Sequence, residues 1–265
     1  MDLAIRGKTA LITGAQGGIG LATAKCLAAE GVSLVLSDLD ADALFRAADE
    51  IDGDPLCVAA DVTDQAEVDA LVRQGVERFG AIDIVVHAAG VTGAKGDPLE
   101  LSDDDYEHAW QIDFFSAVRV ARATIPAMRD RGWGRFICLT SENTVQPYWE
   151  EAVYNTAKAA LGTFVKNLSY KEAASGVLCN TVAPAFVASP MTDGMMKQRA
   201  EQLGCTFEEA IESFLEEERP GIVAKRRGEA DEVAFVIAML ASQHASFVNG
   251  SNVRVDGGSV ISVQS

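Results

Sequence analysis

Tyr154 and Lys158 stand four positions apart, and Ser141 lies thirteen positions before the tyrosine. On a helix, that spacing puts the phenol and the ammonium on one face, about a turn apart. A phenol is a poor base near neutral pH because its ordinary pKa is about 10. A neighbouring ammonium favours the phenolate and draws that value down. The trio therefore reads as an acid/base tuned to exchange a proton with an alcohol or a carbonyl, with the serine hydroxyl holding the same oxygen. A Tyr and a Lys at this spacing also occur on ordinary helix faces, so the surrounding elements must decide.

Those elements alternate along the chain. Apolar, strand-like runs fall at 8–13, 33–37, 56–60, 82–87, 135–140, 177–182 and 252–255. Helical stretches fall at 18–30, 41–51, 64–79, 102–128 and 231–241, and another carries Tyr154 and Lys158. Strands alternating with helices predict an α/β fold: a doubly wound, seven-stranded, mostly parallel sheet with helices on both faces. No linker or low-complexity tract interrupts the pattern, so residues 1–265 are expected to form a single domain. Segment 189–228 stands outside the rhythm. Within it Phe207, Ala210, Ile211, Phe214 and Leu215 fall at helical spacing, opposite Glu208, Glu209, Glu212 and Glu216. Placed near the end of a doubly wound sheet, it is expected to be a helical lid over the strand carboxyl ends.

Composition narrows the functions. The net charge of −17 opposes nucleic-acid phosphates and anionic membrane surfaces, so neither partner is expected. Arg129, Arg131 and Arg135 lie close together and read as a solvated turn. The amino terminus has no apolar stretch of the kind that exports a chain, and no run is long enough to span a bilayer. Cys26, Cys57, Cys138, Cys179 and Cys205 are odd in number and widely spread, which argues against a disulfide framework and for a reducing cytoplasm. Cys57, Cys138 and Cys179 read as small core residues. His87, His108 and His244 are isolated, so no metal site is expected.

The first strand runs into Thr13-Gly-Ala-Gln-Gly-Gly-Ile-Gly20, a turn rich in glycine that opens a helix. Gly14, Gly18 and Gly20 permit a tight turn and close approach of a phosphate, and the helix start offers free N–H groups. No Gly-Lys-Ser/Thr follows, so this is not a P-loop. The second strand ends at Asp38, followed by Leu39. A carboxylate there accepts hydrogen bonds from an adenosine ribose and repels a 2′-phosphate. With no Arg or Lys beside it, NAD is expected over NADP. The third strand ends at Asp61-Val62, a candidate adenine contact.

With these residues in place, the chain resembles a classical short-chain dehydrogenase/reductase, and the resemblance covers nearly all of it. Thr13–Gly20 matches the family's T-G-x-x-x-G-x-G, and Ser141, Tyr154 and Lys158 match its Ser and Y-x-x-x-K. Asp61-Val62, Asn180-Thr-Val-Ala-Pro184 and Val255-Asp-Gly-Gly258 match further signatures. The resemblance implies a Rossmann fold whose dinucleotide lies against Gly14, Gln16, Gly18, Ile19, Gly20, Asp38, Leu39, Asp61, Val62, Ala88, Ala89, Gly90, Tyr154, Lys158, Pro184, Ala185, Val187 and Ser189. It implies that Tyr154 is the general acid/base, that Lys158 holds the nicotinamide ribose and lowers the tyrosine pKa, and that Ser141 binds the substrate oxygen. Hydride would pass between the nicotinamide and the carbinol carbon. Three departures stand out. The family's N-N-A-G after the fourth strand is His87-Ala-Ala-Gly90. Its fourth catalytic residue, an Asn on the fourth helix, is Asp113, which is expected to take over that role; it keeps an acceptor oxygen but loses the amide donor. Its threonine beside the carboxamide is Ser189.

The expected function is NAD-dependent interconversion of a secondary alcohol and a ketone. Tyr148, Trp149, Met191 and Met195, with Met196, are expected to wall the substrate pocket, which suggests a hydrophobic or cyclic alcohol. A 3-oxoacyl thioester reductase is a second reading within the class, opposed by Asp38 and by the negative charge. A non-catalytic nucleotide sensor or assembly protein is the reading from another class, and the intact Ser141, Tyr154 and Lys158 oppose it. By resemblance a homotetramer packed through the fourth and fifth helices is expected.

Overall fold

The computed structural model describes residues 2–263. Seven strands form one sheet in the order β3-β2-β1-β4-β5-β6-β7, and every neighbouring pair is parallel. They are β1 (Thr9–Thr13), β2 (Ser33–Asp38), β3 (Leu56–Ala59), β4 (Ile84–His87), β5 (Gly134–Leu139), β6 (Val177–Pro184) and β7 (Asn252–Val255). The order reverses between β1 and β4, where a doubly wound sheet opens a crevice at its carboxyl edge.

Successive strand side chains point to opposite faces, and both faces are covered. On one, Ile12, Leu36, Val86 and Ile137 pack with Leu27 of α1 (Gly18–Ala29) and with Ile237 and Leu240 of α9 (Ala230–Ala241). On the other, Leu11, Val35, Val85 and Phe136 pack with Leu71 of α3 (Gln65–Phe79), Val120 and Ile125 of α5 (Ser116–Arg131), and Leu161 and Val165 of α6 (Ala152–Glu172). Adjacent residues of one strand thus serve different cores, which is why the strands read as continuous apolar runs.

The helix expected over 102–128 is interrupted. It comprises α4 (Asp103–Trp110), a π-helical turn over Gln111–Phe115, and α5. Backbone angles at the junctions stay helical, so one rod carries a local widening. Trp110, Phe114, Phe115 and Phe164 stack around it, and the Ser116 hydroxyl bonds back to Ile112 O. Such turns concentrate at functional sites, and this one carries Asp113.

α2 (Ala41–Ala48) follows β2. Segment 189–228 folds as α7 (Pro190–Leu203) and α8 (Phe207–Glu217). A third apolar cluster of Phe186, Met196, Phe214, Leu215 and Ile222 lies beneath it.

The arginine group does not form a solvated turn. Arg129 makes a two-pronged bond to Glu172 at 2.8 and 2.7 Å, and Arg131 reaches Asp83 at 3.6 Å. Arg135 is 2% exposed, bonds Gly134 O at 2.9 Å and stacks over Trp133. Burial pushes its pKa down to about 10. Its place on β5, with both faces of the sheet covered, is what buries it. All five cysteines are free; Cys138 and Cys179 are buried, whereas Cys57 is half-buried. Among the described residues no helix is long and apolar enough to cross a membrane, and no group of three His, Cys, Asp or Glu could hold a metal.

Candidate active site

A cavity of about 1070 Å³ opens at the carboxyl edge of the sheet. It is large for a small-molecule site, which commonly spans about 300–1,000 Å³, and it has room for a dinucleotide and a substrate. One end is lined by the turn after β1, by Asp38, Leu39, Asp61 and Val62, and by Ala88, Ala89 and Gly90 after β4. Pro184, Ala185, Val187 and Ser189 line it from β6 and the start of segment 189–228.

The glycine turn fits a diphosphate on two grounds. Gly14 has φ +67°, and a Cβ there would sit 2.7 Å from Ala89 N and 2.8 Å from Ala88 C, so only glycine lets β1 and β4 close together. At the N-terminus of α1 no side chain caps the helix and no acidic residue stands in the first turn. Its free N–H groups and positive dipole end are therefore left to an anion. Asp38, the residue expected at the adenosine ribose, stands beside this turn. Its Oδ2 accepts from Gln16 N at 3.1 Å and its Oδ1 from Leu39 N at 2.8 Å. Asp61 accepts from the Thr63 hydroxyl and backbone N–H, which hold its carboxyl below its ordinary range.

Ser141, Tyr154 and Lys158 line the same cavity. α6 carries Tyr154 and Lys158 on one face, with the ammonium 5.6 Å from the centre of the phenol ring. Ser141 follows β5. Its hydroxyl accepts from Asn143 N at 3.2 Å and lies 3.1 Å from Asn143 Oδ1, which fixes its direction. Lys158 is 4% exposed and donates to Leu139 O at 3.1 Å and toward Asp113 Oδ1 at 3.0 Å. An ammonium has three donors, so one proton remains for a further acceptor.

Comparison with known proteins agrees with this geometry. A family model described as enoyl-(acyl carrier protein) reductase matches residues 14–260. The chain belongs to the short-chain dehydrogenase/reductase family. It is 34% identical to the oxidoreductase UcpA of Escherichia coli K12 over 263 residues, covering 97% of this chain and 96% of that one. The crystal structure of L-sorbose reductase from Gluconobacter frateurii, complexed with NADPH and L-sorbose, superposes with a TM-score of 0.93 at 34% identity, covering 99% of this chain and 100% of that one. Levodione reductase superposes with a TM-score of 0.89 at 30% identity, covering 96% and 98%. As a short-chain dehydrogenase/reductase, the chain is an oxidoreductase of CH–OH groups on a fold that binds a nicotinamide cofactor.

The electrostatics of this dehydrogenase/reductase site depart from the expectation at one point. The pKa of Tyr154 is raised rather than lowered. Burial is the largest cause, and the carboxyls of Asp113 and Glu142 add to it; Lys158 and a hydrogen bond from Ser141 pull the other way. The tyrosine keeps partial exposure toward the cavity, but the surrounding protein outweighs one ammonium. Lys158 is raised: burial opposes its charge, and Asp113 and Tyr154 outweigh the burial. Asp113 has no exposure, and burial raises its carboxyl against the pull of Lys158. Its Oδ1 accepts from Val91 N at 3.2 Å as well as facing Lys158, while Oδ2 has no hydrogen-bond partner among the described residues.

His87 takes over a structural task at the family's first N-N-A-G position. It is 1% exposed, and burial pushes its pKa down to about 3. Nδ1 lies 2.9 Å from Thr13 Oγ1 and Nε2 lies 2.9 Å from Ser116 Oγ. The Ser116 hydroxyl donates to Ile112 O, so Nε2 carries the proton and Nδ1 accepts from Thr13. The neutral ring thus ties β1 to the start of α5. Ser189 is spent locally: its Oγ caps α7 by accepting from Thr192 N at 3.3 Å.

Of the residues expected to wall the substrate pocket, only some line the cavity. Met191 and Met195 line the cavity, whereas Met196 lies in the core beneath the lid. Trp149 is 66% exposed and lines no part of the cavity. Tyr148 is also absent from the lining; its ring is covered by the Arg219 guanidinium at 3.4 Å. Both precede α6 at a short 3-10 turn, Trp149–Glu151, of which Glu151 lines the cavity. In their place stand residues that the sequence reading passed over: Lys95, Glu142, Asn143, Glu151 and Arg219. Glu151 accepts from Lys95 at 2.6 Å, Arg219 at 3.0 Å and Asn143 at 2.7 Å. Asn143 Nδ2 also donates to Asn155 at 2.8 Å, linking Ser141 to the residue beside Tyr154.

Proposed function

We propose that this chain is an NAD-dependent oxidoreductase that interconverts a secondary alcohol and a ketone, with Tyr154 as general acid/base. The observation that carries the reading is the convergence of Ser141, Tyr154, Lys158 and the glycine turn on one cavity. A bound nicotinamide supplies hydride exchange with the carbinol carbon; the proton steps belong to the protein.

Tyr154 Oη takes the alcohol proton in oxidation and returns it in reduction. Ser141 donates to the same substrate oxygen and stabilises negative charge developing there. That hydroxyl donates to Asn143 Oδ1 at 3.1 Å, and rotation away from this acceptor frees its proton for the substrate oxygen. Lys158 keeps its charge through Asp113 and offers its remaining proton to the nicotinamide ribose. Gly14, Gln16, Gly18, Ile19, Gly20, Ala88, Ala89 and Gly90 hold the diphosphate and its neighbouring groups through backbone, Asp61 and Val62 the adenine, and Pro184, Ala185, Val187 and Ser189 the nicotinamide end. Segment 189–228 acts as the lid.

The choice of NAD rests on Asp38. Its two oxygens are held by Gln16 and Leu39 amides at the cradle's end, where a ribose diol is welcome and a 2′-phosphate is repelled. The L-sorbose reductase structure contains NADPH, so likeness alone does not choose the cofactor. We further infer a cytoplasmic homotetramer acting on a small-molecule alcohol or ketone, on the cysteine usage and the family resemblance. The test is reduced-nicotinamide formation by purified protein given NAD or NADP and a panel of secondary alcohols. Turnover with NAD at least about tenfold better in kcat/KM than with NADP is expected, a barrier difference of about 1.4 kcal/mol. A preference for NADP would sink the argument from Asp38.

A further inference from the structure

The cavity holds one buried acid that the proton chemistry leaves unused. Glu142 directly follows Ser141, is 3% exposed and faces the cavity. Apart from its own backbone N–H, its carboxyl has no hydrogen-bond partner among the described residues. The Arg219 Nε lies 3.9 Å away, beyond hydrogen-bond reach. Arg219 is committed elsewhere, to Glu151 and to the Tyr148 ring. Glu151 is claimed in turn by Lys95, Arg219 and Asn143. The cluster is thus internally satisfied except at Glu142.

Burial raises the Glu142 carboxyl to about 8, with Glu151 and Asp256 adding and Arg219 opposing. Near neutral pH it is therefore largely a neutral acid, with one O–H donor and acceptor capacity to spare. A cationic ligand would need the ionised form beside Arg219, and an apolar ligand would leave the carboxyl buried and unpaired. A hydroxyl matches both of its functions, since it accepts one hydrogen bond and donates another.

We propose that Glu142 binds a second hydroxyl of the substrate while Ser141 and Tyr154 hold the reacting one, so that the substrate class is a diol or polyol and its hydroxyketone. This rests on the dehydrogenase reading above and names its substrate class. The contact makes Glu142 a specificity-determining residue: a site built to bond a hydroxyl discriminates strongly against the analogue that lacks it.

The test compares kcat/KM for butane-2,3-diol with that for butan-2-ol in wild type, Glu142→Met and Glu142→Gln. Calorimetric binding of a hexitol to each protein, saturated with reduced cofactor, is measured alongside. We expect wild type to favour the diol at least tenfold, Glu142→Met to collapse that ratio toward one, and Glu142→Gln to restore most of it. A wild-type enzyme indifferent to the second hydroxyl overturns the proposal, with or without folded variants. So does a ratio that survives in Glu142→Met. Hexitol binding that needs Glu142, without turnover of any alcohol, would keep the subsite and overturn the dehydrogenase reading instead. No hexitol binding to wild type removes the subsite.

Discussion

The two ends of the cavity are built from different material. The cofactor end is mostly backbone: a glycine turn, uncapped helical N–H groups and strand ends, with Asp38 and Asp61 as its charged side chains. The end around Ser141 is a web of charged and amide side chains, Lys95, Glu142, Asn143, Glu151 and Arg219, drawn from loops and from the lid. A backbone cradle serves any sequence with the right turn. A side-chain web is specific to one chain. On the reading proposed above, the first holds the cofactor and the second selects the substrate.

Lys158 sits where the two ends meet, and its replacement gives the largest effect expected from this contrast. Lys158→Met removes the ammonium facing Asp113 and the proposed ribose donor together. We expect kcat/KM to fall by about 10²-fold or more, with cofactor affinity falling as well. Initial rates at varied cofactor, with calorimetric cofactor binding, check this; loss of turnover with unchanged cofactor binding would separate the two ends more sharply than drawn here.

Asp113 is the next test, because it replaces a family asparagine at the same meeting point. Its carboxylate lies 3.0 Å from Lys158 and raises that lysine. Asp113→Asn should lower kcat/KM at least about tenfold, about 1.4 kcal/mol in the barrier, and move the pH–rate profile. Higher activity with an unmoved profile would mean that the aspartate is merely tolerated.

The smallest effect concerns stability beneath the cofactor end. His87 ionises at about 3 when folded, against an ordinary 6.5. Between those values the unfolded chain binds the proton and the native chain does not. Its contribution is thus present above about 6.5 and lost as pH falls toward 3, at up to about 1.4 kcal/mol per pH unit. Urea unfolding of wild type and His87→Asn across that window should show a shallower acid loss in the variant. Parallel slopes would assign the acid sensitivity to other groups.

The same contrast explains what was legible in the sequence. The alternation of strands and helices and the parallel sheet follow from local patterns of apolar runs, and the residues expected at the cofactor end, a glycine turn and an acid at a strand end, are local as well. The Ser141, Tyr154 and Lys158 set is also nearly local, spread over β5 and the helix after it. The charged web is not. Lys95 and Glu151 are 56 positions apart and Glu151 and Arg219 are 68 apart, and no single stretch signals their meeting. Glu142 looks ordinary in sequence, and only its burial distinguishes it. Trp149 and Tyr148 are near Tyr154 in the chain but do not line the cavity, because closeness in sequence does not fix where a side chain points. The π-helical turn at Asp113 was hidden by an unbroken helical pattern, and the raised Tyr154 pKa by counting one ammonium without the burial around it.

On the proposed mechanism Tyr154 performs the proton step while the cofactor end acts independently of it. Comparing wild type with Tyr154→Phe for NAD-dependent oxidation of a secondary alcohol, with calorimetric NAD binding alongside, tests this. We expect a loss of about 10²- to 10⁴-fold in turnover, with NAD affinity unchanged within about threefold. Turnover that survives in Tyr154→Phe would contradict it.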